Sequence, residues 1–324
     1  MSTKETIRKL YHRYSPTSWL ILLTSFIEST LIIIIQLVVL IGANIKDPLI
    51  NGVPVYLIIF IGSRLFQFGL IIDGIKNKNT IQLIAINIFN FLSFIYSIVE
   101  INQITKVLND SKDVEYPSFI LPLLYISSSI LVLAQCFYVW LAYKLYLSFG
   151  WDIYKIIGAN PRLRKMLLNY HIFLLLLKLD VFFFFGFSLQ FLMMILKSYD
   201  PEFWLTILAL PLTLIILLLA IYGVRNENKS FMFAFIAGLL VAMIYFIFKI
   251  VKIYQPSNYE KYKYSKIILT LFASISLFVL GLTAIQSYIC YRNFGNGLRD
   301  HIKNSSNMKY LIKPTERTLN LDED

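Results

Sequence analysis

Polar and apolar residues alternate along this chain in long blocks, and eight of the blocks are apolar runs of about the length that crosses a bilayer, roughly 20 residues. The runs are continuous and show no period-two alternation, which favours helices over a β-barrel. The eight predicted spans are Trp19–Ile41, Val55–Ile72, Thr80–Val99, Phe119–Tyr143, Tyr170–Leu196, Phe203–Tyr222, Phe231–Phe248 and Ile267–Cys290. We therefore predict an all-α, polytopic transmembrane helix bundle over residues 19–290, between a polar segment 1–18 and a flexible tail 291–324.

The composition supports this prediction. Of 324 residues, 57% are hydrophobic and only 15% are charged, whereas soluble domains average about 45–50% and about 25%. The net charge of +11 does not indicate nucleic-acid binding, because the basic residues lie mostly between apolar blocks. Membrane lipids are the expected partners. The two cysteines, Cys136 and Cys290, are too few for a disulfide framework or a metal cluster.

The distribution of basic residues predicts the orientation. Most of them lie in the amino-terminal segment, the even-numbered loops and the tail, so this side, with both termini, is expected to be cytosolic. The basic residues between Lys249 and Lys266 argue against this orientation. Asn109, in an Asn-Asp-Ser glycosylation acceptor, falls on the predicted lumenal side.

Four ionisable residues lie inside the predicted spans: Glu28, Arg64, Lys178 and Asp180. Counted from the span ends at 1.5 Å per residue, all four lie about 12–15 Å deep. An isolated charge there costs at least about 2.5–3.5 kcal/mol, so pairing is expected. Since Lys178 and Asp180 are on different helix faces, we prefer Asp180 with Arg64 and Glu28 with Lys178; the alternative pairs Glu28 with Arg64.

Four polar residues would complete such an intramembrane centre: Gln67, Asn87, Asn90 and Gln190. Ionisable groups within a membrane by default indicate a substrate or proton pathway. The alternative is a buried ion-pair network that only fixes the helix register. The sequence leaves both interpretations open.

The loop between spans four and five, Phe149–Tyr170, is a second candidate region. Trp151 suits the membrane interface, and Arg162, Arg164 and Lys165 suit anionic headgroups. Lipid or coat-protein recognition is one interpretation, and ordinary positive-inside anchoring is the other.

Two weaker patterns concern helix packing. Glycines inside the spans predict close approach of neighbouring helices; they are Gly62, Gly69, Gly186, Gly238 and Gly281. Pro16 and Pro161 lie 145 residues apart, which suggests a parallel repeat of four spans.

Membrane-enzyme signatures were not found. The three histidines, His12, His171 and His301, are too scattered for a di-iron or zinc set, and there is no P-loop. We therefore expect a protein that is not an enzyme, with no cofactor and no metal site.

Three stretches resemble a known family: "FGWDIYKIIGA" (Phe149–Ala159), "LLKLDVFFFFGFSLQF" (Leu176–Phe191) and "DGIKNKNTIQLIAINIFN" (Asp73–Asn90). They resemble uncharacterised fungal multi-pass proteins described as Golgi apparatus membrane proteins. The resemblance implies Golgi residence and a polytopic helical fold, and it supplies no catalytic or binding residues.

Three hypotheses follow for the function. The first is transport of a small solute or lipid through the polar centre. The second is a trafficking or scaffold protein that binds lipid or coats through its cytosolic loops. The third, a seven-span receptor, is disfavoured by the eighth span.

Overall fold

Eight long helices form the protein in a computed structural model that describes residues 16–44, 53–77, 79–110, 117–157, 161–195, 201–256, 262 and 265–295. They are α1 Pro16–Asn44, α2 Val53–Lys76, α3 Thr80–Asp110, α4 Ile120–Ile157, α5 Pro161–Met194, α6 Pro201–Arg225, α7 Lys229–Tyr254 and α8 Lys266–Arg292. All eight are long and apolar enough to cross a membrane, and the described residues contain no strand. The predicted fold class is confirmed.

The helix ends follow local sequence signals. Pro16, Pro161 and Pro201 are the first residues of α1, α5 and α6. A proline is tolerated there because the first N–H groups of a helix have no intrahelical acceptor. The acceptor amide of Asn228 caps α7, where its Oδ1 accepts from the backbone N–H groups of Ser230 and Phe231.

The eight helices form two four-helix bundles side by side. In the first bundle α1 packs on α2, α2 on α3, α3 on α4, and α4 returns to α1. In the second, α5 to α8 close a ring in the same order. The bundles meet where α5 contacts α2 and α3 and where α8 contacts α3.

Aromatic side chains fill the contact between the bundles. Phe66 stacks on Phe182 with ring centroids 4.7 Å apart, and Phe89 meets Phe182 edge-on at 5.1 Å. Phe272 of α8 meets Tyr96 of α3 edge-on, with ring centroids 5.8 Å apart. Such offset and edge-to-face pairs add about 0.5–1.5 kcal/mol each to the apolar burial.

Only one of the five span glycines sits at a tight helix contact. A Cβ on Gly186 would lie 2.6 Å from Cε1 of Phe272, so α5 and α8 approach closely there. At Gly62, Gly69 and Gly281 a Cβ would meet nothing within 4 Å, and at Gly238 it would meet one methyl at 4.0 Å. The predicted close packing is therefore correct at Gly186 alone, because the other glycines face open space or loosely packed neighbours.

Helices α6 and α7 lie at the periphery. In the most apolar stretch of each of these two helices only 22% of the residues are buried. The corresponding share is 50% or more in α2, α3 and α5. Their outer surfaces carry exposed Leu208, Leu218, Phe233, Val241 and Ile244. These side chains suit contact with lipid. Within the bundle, α6 packs against α5 and α7 packs against α8.

Candidate functional site

A buried ion pair lies at the centre of the first bundle. Nη1 of Arg64, on α2, lies 3.1 Å from Oε1 of Glu28, on α1, and the two side chains are 0% and 3% exposed. The hydroxyl of Tyr138, on α4, donates to the second oxygen of Glu28. The Arg64 guanidinium also lies 5.4 Å from the centroid of the Phe60 ring. The carboxylate and the guanidinium neutralise each other in a site that water does not reach.

Amide side chains extend this pair across the bundle. Arg64 Nη1 also donates to Oδ1 of Asn90 at 3.2 Å, and Nε2 of Gln67 lies 3.4 Å from the same oxygen. Asn90 Nδ2 donates to Oε1 of Gln135 at 2.9 Å, and Gln135 Nε2 donates to Oδ1 of Asn87 at 3.3 Å. Three of the four predicted lining residues, Gln67, Asn87 and Asn90, therefore belong to one network with Glu28 and Arg64.

This polar network separates two apolar clusters of the first bundle. One contains Ile21 and Ile75, near the start of α1 and the end of α2. The other contains Val39 and Val53, near the opposite ends of the same helices. The first bundle is thus closed on both sides of the network, which is the arrangement of a structural core.

The preferred pairings of Asp180 with Arg64 and of Glu28 with Lys178 are wrong, and the alternative pairing of Glu28 with Arg64 is correct. The physical reason is the division into two bundles. Arg64 lies inside the first bundle, where α1 is the neighbouring helix. Asp180 lies on α5, and its side chain faces the interior of the second bundle. The pattern of apolar residues does not indicate which helices lie next to each other, so it could not identify the correct pair.

Lys178 forms an ion pair elsewhere. Its Nζ contacts Oδ2 of Asp73, and the two side chains are 36% and 37% exposed. Asp73 lies one turn before the end of α2 and also accepts from Nδ2 of Asn77 at 2.9 Å. The expectation that Lys178 joins the central polar group is therefore wrong, because its partner is near a helix end.

Asp180 is an ionisable residue with an open acceptor beside a cavity. It is 5% exposed, and its Oδ2 lies 2.6 Å from the hydroxyl of Thr283 on α8. Oδ1 has no hydrogen-bond partner among the described residues. The side chain borders a cavity of about 80 Å³ inside the second bundle. The lining is contributed by α5, α6, α7 and α8: Asp180, Phe184, Thr213, Ile216, Leu217, Phe235, Gly238, Leu239, Ala242, Phe246, Ser276 and Leu280.

Gln190 does not share this site. It lies ten residues after Asp180 on α5, about 15 Å along the helix. Its side chain is 0% exposed, and neither its Nε2 nor its Oε1 has a partner among the described residues. The predicted role of Gln190 in lining the polar centre is wrong, since it borders neither the network nor the cavity.

Glu100 was missed by the sequence analysis. The predicted third span ends at Val99, but α3 continues to Asp110, so Glu100 lies within the bundle and is 0% exposed. Nε2 of Gln36, on α1, donates to its Oε2 at 3.3 Å, while Oε1 has no partner in the described structure. Gln36 in the first apolar run, and Gln103 one turn beyond Glu100, are the signals that a buried polar face extends further.

The remaining candidates lie at helix ends. Arg162 and Lys165 are exposed in the first turns of α5, where they are accessible to headgroups. The side chains of Trp151 and Arg164 lie outside the described residues. Asn109 is exposed in the last turn of α3, while Ser111 of its acceptor motif lies outside the described part. Within the described ranges, no three His, Cys, Asp or Glu residues are grouped to hold a metal ion.

Comparisons with known proteins find similarity to a Golgi membrane protein and to a domain of unknown function, and they name no site residue. Residues 157–286 match a domain of unknown function, DUF7789. The match spans α5 to α7 and most of α8, and so nearly the whole second bundle. The chain is 32% identical over 283 residues, 79% of its length and 80% of the relative's, to a UPF0658 Golgi apparatus membrane protein of Schizosaccharomyces pombe. No solved structure matches the chain.

Proposed function

Since the chain belongs to the UPF0658 family of Golgi apparatus membrane proteins, we propose that it is a Golgi membrane carrier that moves a small solute through its second bundle. One observation supports this most strongly. The Asp180 carboxylate, 5% exposed, borders a cavity and has an oxygen with no partner among the described residues. A buried carboxylate without a counter-charge is costly within a membrane, and a bound solute offsets that cost.

The contrast between the bundles supports the choice of the second. In the first bundle Arg64 and Glu28 neutralise each other and apolar clusters close both ends. The described lining of the second cavity contains no basic side chain. A cavity of about 80 Å³ also favours a small solute over a lipid, whose acyl chains require a far longer groove.

The second bundle also contains a pair of helices suited to opening the cavity. Helices α6 and α7 are the least buried of the eight, and Pro211 interrupts the backbone hydrogen bonding of α6 two residues before Thr213 of the lining. The tight contact of Gly186 with Phe272 instead holds α5 against α8. We assign access to a movement of the α6–α7 hairpin over a fixed α5–α8 pair.

Transport is tested with the purified full chain in proteoliposomes. Uptake of labelled methylammonium, glycine, acetate and glycerol is compared for the wild type, Asp180→Asn and Glu100→Gln, the last being a buried acid outside the cavity. We expect saturable uptake of at least one solute, lost in Asp180→Asn and kept in Glu100→Gln. Uptake no greater than in protein-free vesicles for all four, or equal in wild type and Asp180→Asn, contradicts the proposal.

A scaffold function is the second candidate, and the lengths of α4 and α5 favour it. Helix α4 has 38 residues, about 57 Å, and α5 has 34, about 51 Å, against a bilayer core of about 30 Å. The connected ends of these helices therefore extend beyond the membrane, near exposed Arg162 and Lys165. If Arg162→Glu with Lys165→Glu displaces the protein from the Golgi while Asp180→Asn changes nothing, the scaffold function is favoured.

A further inference from the structure

Resting on the proposed function, we infer that the solute held at Asp180 is a small organic cation of the size of methylammonium. Oδ1 of Asp180 supplies a buried acceptor without a partner in the described residues, and the described cavity lining supplies no competing cation. The site therefore needs a positive charge and a hydrogen-bond donor. An ammonium group supplies both, because it neutralises the carboxylate and donates a hydrogen bond to it.

The hydroxyl groups around the cavity further limit which class of ligand can bind. The Thr213 hydroxyl donates to the carbonyl of Ala209 at 2.7 Å, and the Ser276 hydroxyl donates to the carbonyl of Phe272 at 2.7 Å. Their hydrogens are therefore engaged within their own helices, and only oxygen lone pairs remain for a ligand. Together with the carboxylate, these side chains form a set of acceptors, which favours a hydrogen-bond donor and disfavours an anion.

Aromatic rings complete the cavity. Phe184, Phe235 and Phe246 are part of the lining, and the rings of Phe184 and Phe246 meet edge-on at 6.1 Å. An organic cation near an aromatic face is attracted by the ring quadrupole. Ca²⁺ and Mg²⁺ are disfavoured, because they take six or more oxygen ligands and the polar side chains in this lining are those of Asp180, Thr213 and Ser276.

The volume limits the size of the ligand. A cavity of about 150 Å³ in another protein holds benzene, which has six non-hydrogen atoms. A cavity of about 80 Å³ is roughly half as large and so accommodates about three non-hydrogen atoms. Methylammonium and ethylammonium fit this limit, whereas larger amines require the cavity to expand.

Binding is tested on the detergent-purified full chain by thermal unfolding in increasing methylammonium chloride. Sodium chloride at equal ionic strength and sodium acetate are the comparison solutes. We expect a saturable rise in melting temperature with methylammonium alone, and at least a tenfold higher half-saturating concentration in Asp180→Asn. Equal shifts with methylammonium and sodium, or equal responses of wild type and Asp180→Asn, overturn the inference.

A second variant keeps the test valid if Asp180→Asn does not fold. Gly238 borders the cavity, and a Cβ there meets only a methyl of Ile216 at 4.0 Å. Gly238→Val should therefore fill the cavity while it leaves the carboxylate in place, and it should abolish the methylammonium response. Gly281→Val, at a position with no neighbour within 4 Å, is the matched control and should retain the response.

The binding result and the flux result separate the two proposals. Methylammonium binding without any flux refutes the carrier function and leaves the ligand class standing. Flux of glycine, acetate or glycerol that depends on Asp180, without methylammonium binding, refutes the ligand class alone.

Discussion

Replacing Arg64 by Gln should destabilise the protein strongly, because it leaves Glu28 charged and buried without its counter-ion. Arg64 is 0% exposed and its Nη1 lies 3.1 Å from Glu28 and 3.2 Å from Asn90. Removing one partner of a buried ion pair costs about 3–5 kcal/mol. Glu28→Gln should cost a similar amount, since it leaves the guanidinium unpaired.

The double change Glu28→Gln with Arg64→Gln should cost about 3 kcal/mol less than the sum of the two single changes. Two facing amides carry no net charge and can hydrogen-bond to each other and to Tyr138, so no ion is left unpaired. Residues in one such network show coupling energies of about 0.5–3 kcal/mol. We expect a coupling at the upper end of this range, because the pair is fully enclosed in the first bundle.

The measurement is unfolding of the purified protein in a mixed detergent series, followed by the fluorescence of its four tryptophans. Arg225→Gln is the matched control. Arg225 is an exposed arginine at the end of α6, bonded to the hydroxyl of Tyr170 at 3.1 Å, and its loss should cost at most about 1 kcal/mol. If the single costs at Arg64 and Glu28 simply add in the double variant, the structural role of the pair is refuted.

Three further changes test the packing and the other charges in the same assay. Gly186→Ala should cost about 1–3 kcal/mol by overpacking α5 against α8, whereas Gly281→Ala should lie within about 0.5 kcal/mol of the wild type; equal effects would contradict the close contact. Glu100→Gln should leave stability equal or raise it, because no base in the described structure pairs with Glu100; a large loss would mean that its charge has a partner. Lys178→Ala should cost at most about 1 kcal/mol, since its ion pair is about one-third exposed, and a cost near that of Arg64→Gln would show that the pair is buried in the folded protein.

The sequence predicts the helices well because a continuous apolar run that crosses a membrane has to satisfy its backbone hydrogen bonds within the segment, as a helix does. All eight predicted spans correspond to helices, with ends shifted mostly outward. The largest shifts are at α3 and α4, which continue to Asp110 and Ile157 because polar residues at the membrane surface do not interrupt helical hydrogen bonding. The same effect concealed Glu100, which looked like the end of a span.

The lateral arrangement of the helices was not predictable in the same way. At their depth in the membrane, Glu28 and Arg64 could each pair with several other charged residues. They pair with each other because α1 and α2 are adjacent in the first bundle. The sequence places Asp180 in the membrane but gives no signal for a cavity beside it, since the cavity depends on how the side chains of four helices pack together.

The repeat of four spans stays a prediction, since the hydroxyl residues of the two bundles keep its spacing but the acids Glu28 and Asp180 are 152 residues apart. Tyr138 on α4 donates to the acid of α1, and the Thr283 hydroxyl on α8 contacts the acid of α5. The two hydroxyl residues are 145 residues apart, the same separation as Pro16 and Pro161. The difference is that an arginine neutralises the acid in the first bundle, while the acid in the second borders a cavity.

The most direct test of this difference is the reactivity of single cysteines in the intact membrane, with Cys136 and Cys290 replaced by Ala. Ser276 borders the Asp180 cavity, and Ser25 lies one turn from Glu28 in the first bundle; both are buried. A small cationic methanethiosulfonate reagent is larger than the closed cavity, so it reaches Ser276→Cys only when the α6–α7 hairpin moves. Ser276→Cys should be modified by this route, and methylammonium should slow the reaction, while Ser25→Cys should stay unmodified. Equal modification of both cysteines, or of neither, would contradict an accessible site in the second bundle and a closed core in the first.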